Sequence, residues 1–352
     1  AKRLDQRAWG ARVDGPAGAP LRVAVIGAGA AGAAAARTLA DHGHAAEVFE
    51  KSRGAGGRMA TRRVDNGTFD HGAQYFSARD TGFGRRVSAW VHDGLVAPWP
   101  ARLVKVASDG TLAPAAPAQR YAFVPGMNAL AQHLLGDVPL RTETTVSGIE
   151  RVEDGWVVAT DKGDVGPFDA VVLTPPAPQT AALLKNSALD VPGPLAAVEM
   201  LPCHAAMLTM ALDAEAAGFD AAFVDDEDIA WLACDTAKPG RRSASGLQHW
   251  VVHATEAFSR RHLEATKPDI AEQLVACLAR RFPEWPAPEA AYGHRWRYAR
   301  VAEAAAPAPP VAWRVTRGVW VAGDACAGTS RVESAWLSGV SAAARVIADA
   351  QA

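Results

Sequence analysis

The turn Gly27-Ala28-Gly29-Ala30-Ala31-Gly32 restricts this chain more than any other feature. It follows at once on the apolar, β-branched run LRVAVI, Leu21 to Ile26, and leads into the alanine-rich AAAARTLADHG. Strand, glycine turn and helix therefore come in that order. Glycines at such a turn let backbone N–H groups and the helix N-terminus approach a pyrophosphate closely. A second short strand, AAEVFE, ends in Glu50, 23 residues after Gly27. If the two strands are parallel, they complete a right-handed βαβ unit. A carboxylate at that strand end can accept hydrogen bonds from a ribose diol. The pattern predicts a Rossmann-type dinucleotide site with Gly27, Gly29, Ala30, Ala31, Gly32 and Glu50 as contacts, without saying which dinucleotide.

At 352 residues the chain exceeds one small core, and roughly 100 to 200 residues per domain suggests two domains. Lys plus Arg number 36 against 38 Asp plus Glu, so no basic excess points to nucleic acid or an anionic membrane surface. A small-molecule partner is expected. The first twenty residues mix charges with Pro and Gly and carry no run of signal-peptide length, and no uninterrupted apolar stretch reads as a membrane span. Cys203, Cys234, Cys277 and Cys326 are scattered, with no CxxC pair and no disulfide framework, which fits a reducing cytoplasm. His71, His249, His262 and His294 show no metal spacing, and no metal is expected.

Past Glu50 the pattern alternates between two kinds of segment. Residues 81–124 read as an insertion with several Pro, and Pro125 to Leu135 reads as a helix start. Strands with a hairpin at Asp154-Gly155 and a buried run at Asp169 to Leu173 return the chain to the nucleotide domain. Residues 203–255 hold several alternating or buried strands, which predict an antiparallel-rich second sheet. Ile270, Leu274, Leu278 and Phe282 recur every fourth residue, giving a helix with one apolar face to cover that sheet. A Pro/Ala stretch ends at Pro310, and the strand GVWVAG and a last Ala-rich helix close the first domain. The expected domains are 21–80, 125–184 and 311–352 for the nucleotide and 81–124 with 185–310 for substrate.

Three further segments decide between FAD and NAD, and they do so by resemblance. Lys51 to Met59, KSRGAGGRM, resembles the glycine-pair loop of the flavin amine-oxidase superfamily, with Arg53 and Arg58 set around Gly56-Gly57. That loop wraps the FAD diphosphate, as bare glycine amides and a guanidinium suit phosphate oxygens. The resemblance implies cofactor contacts from Lys51, Arg53, Gly57 and Arg58. Val321-Ala322-Gly323-Asp324 resembles the family's strand running into Gly-Asp, which implies Asp324 at a ribityl hydroxyl beside Gly323. Ser330-Arg331-Val332-Glu333 has capping-box spacing before the last helix, whose start faces the flavin N1–C2=O edge in that family. This places Val332, Glu333 and Trp336 near the cofactor, with Glu333 a helix cap rather than a catalytic acid. Val146 and Pro175 are further candidate contacts. The implied fold is α/β, a Rossmann-type FAD domain with an antiparallel-sheet substrate domain, in the two-domain architecture of p-hydroxybenzoate hydroxylase.

Within that superfamily the chain resembles the bacterial renalases. The resemblance runs over Asp65 to Asp80, Pro125-Gly126-Met127, Lys238-Pro239-Gly240-Arg241, Trp250 to Thr255, His294-Arg295-Trp296 and Arg331 to Gly339. Amine oxidases carry a cage Tyr two residues before the equivalent of Glu333, and here that residue is Arg331. A guanidinium suits an anionic substrate better than a cationic amine. No Cys stands where monoamine oxidases attach flavin, and Cys326 reads as a small buried residue, so FAD is expected to be noncovalent. The resemblance implies oxidation of 2- and 6-dihydroNAD(P) isomers, with hydride passing to flavin N5 and then electrons to O2, giving NAD(P)+ and H2O2. The ring nitrogen supplies the electronic push, so no general base is required. His253 and Trp296 are candidate substrate contacts, while Gln74 and Tyr75 are candidates for the flavin's substrate side. The alternatives are an amine oxidase or FAD-dependent desaturase of a small hydrophobic molecule, or a noncatalytic FAD-binding redox sensor.

Overall fold

The computed structural model of the protein describes residues 19–64, 67–243, 246–302, 309 and 311–351. The leading segment, Asp65 and all of the Pro/Ala stretch but Pro309 lie outside the described residues.

Strand Arg22–Ile26 lies inside a six-stranded sheet of order Trp313–Thr316, Val319–Val321, Ala170–Leu173, Arg22–Ile26, Ala45–Phe49, Leu140–Arg141. Every neighbouring pair is parallel except the outermost, Trp313–Thr316 with Val319–Val321. Because successive side chains point to opposite faces, Val23 and Val25 enter one core while Ala24 and Ile26 enter another. A strand covered on both faces must be apolar throughout, which is why LRVAVI reads as a continuous run. The first core holds helix Ala30–Asp41 and the closing helix Val332–Gln351. The second holds a three-stranded sheet, Val146–Val152, Gly155–Thr160 and Val165–Phe168, and helix Ala177–Asn186.

The two helices of the first core touch backbone to backbone. A Cβ on Gly339 would stand 2.1 Å from the Ala31 carbonyl oxygen, and one on Gly32 would stand 1.9 Å from that of Gly27. Alanine and glycine in both helices therefore set how closely they pack, and through it where the glycine turn sits.

The second sheet has seven strands, in the order Ala290–Val301, Met200–Met210, Gln248–Ala254, Ile229–Cys234, Ala221–Val224, Leu103–Val106, Leu112–Pro114. All pairs are antiparallel except Ala221–Val224 with Leu103–Val106. Helix Lys267–Arg281 buries Ile270, Leu274 and Leu278 against it, with Phe282 at its C-terminal end also buried. Thr266 and Asp269 form a reciprocal capping box at its N-terminus, satisfying two of the free backbone donors there.

Two local expectations are corrected. Residues 81–98 and 121–123 were expected with the substrate domain, but Phe83, Val87, Trp90, Val96 and Phe123 pack in the nucleotide-domain core. Helix Thr81–His92 has an apolar stripe of its own, and the nearest apolar surface is that of the Rossmann helices. The third helix runs Ala129–Leu135 and so begins later than Pro125, and the Met127 N–H before it is bonded to the Asp70 carboxylate. Among the described residues, no helix is long and apolar enough to cross a membrane.

Candidate active site

A cavity of about 2140 Å³ lies between the glycine turn and the second sheet. Gly27, Gly29, Ala30, Ala31 and Glu50 line it from the Rossmann turn, and Lys51, Arg53, Gly57 and Arg58 from the following loop. Gly323, Asp324, Arg331 and Val332 line it from the last strand and helix, Val146 and Pro175 from the flank, and Gln74, Tyr75, His253 and Trp296 from the opposite side. The fold thus draws together residues from widely separated stretches of sequence, from Gly27 to Val332.

The cradle fits a dinucleotide. An added Cβ at Gly29 or Gly323 would meet nothing within 4 Å, so the chain offers bare backbone to the cavity at both places. A Cβ on Gly57 would stand 3.3 Å from the Gly29 Cα, so the two glycine loops form opposing lips. Buried Glu50 accepts the Ala28 N–H at 2.9 Å and the Ser52 N–H at 2.8 Å. A carboxylate has about four lone-pair sites, which leaves capacity for a ribose diol. These residues would hold FAD by its phosphates and ribose.

Arg58 and Asp324, expected at the diphosphate and the ribityl chain, both line the cavity and also face each other. Arg58 Nη1 and Nη2 donate to the two Asp324 oxygens at 2.8 and 2.7 Å, a bidentate pair, and Arg58 also reaches the Ala299 carbonyl. A buried carboxylate needs such a partner, and Lys51 and Arg53 line the same side of the cavity without one among the described residues.

The start of the closing helix differs from its expected capping box. The Ser330 hydroxyl accepts the Val301 N–H, not one of its own helix. Glu333 Oε1 accepts the Arg79 and Asp80 N–H groups at 2.6 and 2.7 Å, at the entry to helix Thr81–His92. Glu333 is a cap, but of a different segment, and it does not line the cavity. Its other oxygen takes Arg331 Nη2 at 3.1 Å, and the same nitrogen reaches Ser77 Oγ at 3.1 Å. Trp336, expected at the cofactor, packs instead in the core against Phe83 and Trp90. It is the next residue along the helix from Ala335, so where Ala335 lines the cavity Trp336 points to a different side, into the core. Gly32 also leaves the lining, and its role is the close approach to Gly27.

On the opposite wall, His253 Nε2 and Trp296 Nε1 converge on one acceptor, the His71 carbonyl oxygen, at 3.1 and 2.9 Å. Burial holds the His253 ring down at about 4, so it is neutral at pH 7 and carries its proton on the nitrogen that meets the carbonyl. Trp296 stacks on the His71 ring with centroids 5.0 Å apart, and His294 lies edge-on to His71 at 4.6 Å. Desolvation likewise lowers His71 to about 4 and His294 to about 3. The wall is aromatic and uncharged, and it can stack a planar ring. Tyr75 continues it, packed against Trp99 and Trp231 with Arg120 over its ring.

Behind Gln74 lies a buried group of four charges that sequence reading did not assemble. Asp70 binds Arg241, Thr61 Oγ1 and the Met127 N–H, while Lys238 Nζ binds Asp235 at 2.6 Å and Gln74 Oε1 at 3.0 Å. Gln74 Nε2 donates to the Asp70 and Gly72 carbonyls, so both ends of the amide are engaged and its orientation is fixed. Sequence singles out Lys238 and Arg241 only through the resemblance at Lys238-Pro239-Gly240-Arg241. The signal that sequence offered was Asp235, Lys238 and Arg241 close together at a Pro-Gly turn.

This combination defines a flavin-dependent oxidoreductase: a Rossmann cradle, a second sheet forming the facing wall, and a ring-sized aromatic slot between them. Residues 25–93 match the NAD(P)-binding Rossmann-like domain, and residues 116–347 match the flavin containing amine oxidoreductase model. The chain belongs to the flavin-containing amine oxidoreductase family, and its cofactor is FAD. Its fold is similar to cyclohexylamine oxidase from Brevibacterium oxydans IH-35A, with a TM-score of 0.71 and 14% identity over 95% of this chain and 100% of that one. Putrescine oxidase bound to putrescine gives 0.69 and 15% over 94% and 99%. A 4,4'-diapophytoene desaturase of Staphylococcus aureus is 48% identical over 52 residues, which span 15% of this chain and only 10% of that protein.

Proposed function

We propose that this protein oxidises 2- and 6-dihydro isomers of NAD(P), with NAD(P)+ and H2O2 as products, as its resemblance to the bacterial renalases implies. The observation that carries the reading is the charge of the cavity: twelve Lys and Arg side chains line it against three carboxylates, Glu50, Glu256 and Asp324. Such a lining favours a polyanion and disfavours an ammonium ion or a hydrocarbon. When bound, FAD supplies the hydride acceptor at N5 and passes the electrons to O2. Trp296 and the His71–His294 pair present flat, uncharged faces that orient a dihydronicotinamide ring, and Arg331, braced by Glu333 and Ser77, adds positive charge beside it. No side chain has to remove a proton, and His253, held down at about 4 by burial, would be a weak base in any case.

The competing reading, favoured by the amine oxidases and the desaturase among the similar proteins, is oxidation of an amine or a small hydrophobic molecule. Anaerobic mixing of the FAD-loaded protein with 6-dihydroNAD, with putrescine and cyclohexylamine, and then with O2 tells them apart. Dihydronicotinamide should bleach the flavin at a rate that accounts for turnover, and amines should not. Rapid bleaching by a simple amine would overturn the proposal. A protein that binds FAD but never turns over in air would be the noncatalytic redox sensor.

A further inference from the structure

The cations around the cavity fall into two kinds. Arg58 is matched by Asp324, Arg331 by Glu333, Arg295 and Arg297 by Glu264, and Arg300 by Glu256. Like Lys51, Arg53, Arg63 and Arg79, which also line the cavity, Arg62 and Lys267 have side chains with neither a carboxylate partner nor a hydrogen bond among the described residues. They come from different domains and meet at one place. Arg62, on strand Thr61–Val64, holds its guanidinium 5.0 Å from the centre of the Tyr292 ring. Lys267 opens helix Lys267–Arg281, whose first carbonyl is so close to strand Ala290–Val301 that a Cβ on Gly293 would stand 2.0 Å from it. Both cations act on the same two rings, making protonation of His71 and His294 harder.

This cationic spot is separate from Lys51 and Arg53 of the glycine loops. It lies along the strand from Trp296, and four residues of extended chain, Tyr292 to Trp296, span about 13 Å. A ribose and two phosphates bridge a gap of that order between a ring stacked at Trp296 and an anion held at Arg62. We propose that Arg62 and Lys267 bind the pyrophosphate of the substrate dinucleotide, so that the cavity has one phosphate site for FAD and a second for substrate. The inference rests on the dinucleotide reading above.

The test uses FAD-loaded protein, in which the glycine loops are already filled, and the variants Arg62→Gln and Lys267→Gln matched for FAD content. Calorimetric titration with inorganic pyrophosphate should show binding to the wild type and at least about tenfold weaker binding to each variant, as expected for a lost charge-assisted bond. No binding to wild type, or equal binding to all three, overturns the site. Anaerobic flavin bleaching is then compared for dihydroNAD and for dihydronicotinamide riboside, which has no phosphate. The dinucleotide should half-saturate the wild type at the lower concentration, and each variant should lose that advantage by a similar factor. Bleaching by both compounds with the advantage intact in both variants sinks the phosphate site and leaves the function standing. Absence of bleaching by any dihydronicotinamide sinks the function itself.

Discussion

Replacing Asp70 by Ala should destabilise the FAD-loaded protein by about 3–5 kcal/mol, the usual cost of removing one partner from a buried ion pair. The carboxylate is fully buried. It accepts Arg241 Nε at 3.1 Å and Nη2, Thr61 Oγ1 at 2.6 Å and the Met127 N–H at 2.9 Å, with Lys238 Nζ 3.7 Å away. Burial alone would push its carboxyl up, but Lys238 and Arg241 outweigh that and hold it below the usual carboxylate range, so a charge is lost at pH 7. Arg241 would keep only the Phe123 and Pro239 carbonyls, both at 2.7 Å, and two buried cations would face Asp235 alone. Asp70→Asn keeps an acceptor for Met127 and Thr61 and should cost less, about 1.5–3 kcal/mol. Urea unfolding followed by tryptophan fluorescence would show a lower midpoint with an unchanged slope. The double variant Asp70→Ala/Arg241→Met should recover part of the loss, since apolar groups tolerate burial where a lone guanidinium does not. If Asp70→Ala unfolds within about 1 kcal/mol of wild type, the charge group does not hold the Gln74 loop in place and the reasoning fails.

FAD should leave intact on acid or heat treatment; flavin retained by the precipitated polypeptide would refute noncovalent binding. Glu50→Ala removes the acceptor of the Ala28 and Ser52 N–H groups as well as a ribose contact, and should weaken FAD retention by about 1.5–3 kcal/mol in equilibrium dialysis. Stability should fall as pH drops from about 6.5 to about 4. Across that window the unfolded chain takes up protons that neutral, buried His71 and His253 refuse, and the stabilisation is fully present above it. Melting temperatures at pH 7.5, 6.5 and 5.5 would reveal the slope, and a flat profile would contradict it. His253→Ala loses one bond to the His71 carbonyl and should slow flavin reduction by 6-dihydroNAD less than about tenfold, whereas a loss near 10⁴-fold would assign it acid–base work.

Much of the cofactor half was legible in the chain. The glycine turn follows directly on LRVAVI and Glu50 closes the βαβ unit at a fixed spacing, so this part of the cavity lining is built from local sequence features and is legible along the chain. The periodic apolar face at Ile270, Leu274 and Leu278 announced its helix for the same reason. What needed the tertiary structure was every pairing between distant segments. Glu333 reaches the Arg79 and Asp80 N–H groups rather than its own helix, because those donors are brought up against it by the packing of helix Thr81–His92. Trp336 sits one residue from the cavity-lining Ala335, and only the rotation of a packed helix decides which of the two faces the core. Asp70 and Asp235 stand 165 residues apart, yet the Asp70 N–H meets the Asp235 carboxylate. Their charges can be buried only where Lys238 and Arg241 arrive with them. Hydrophobic period and turn chemistry act over a few residues and are written along the chain, whereas the neutralisation of buried charge depends on neighbours that exist only after the two sheets have closed on each other.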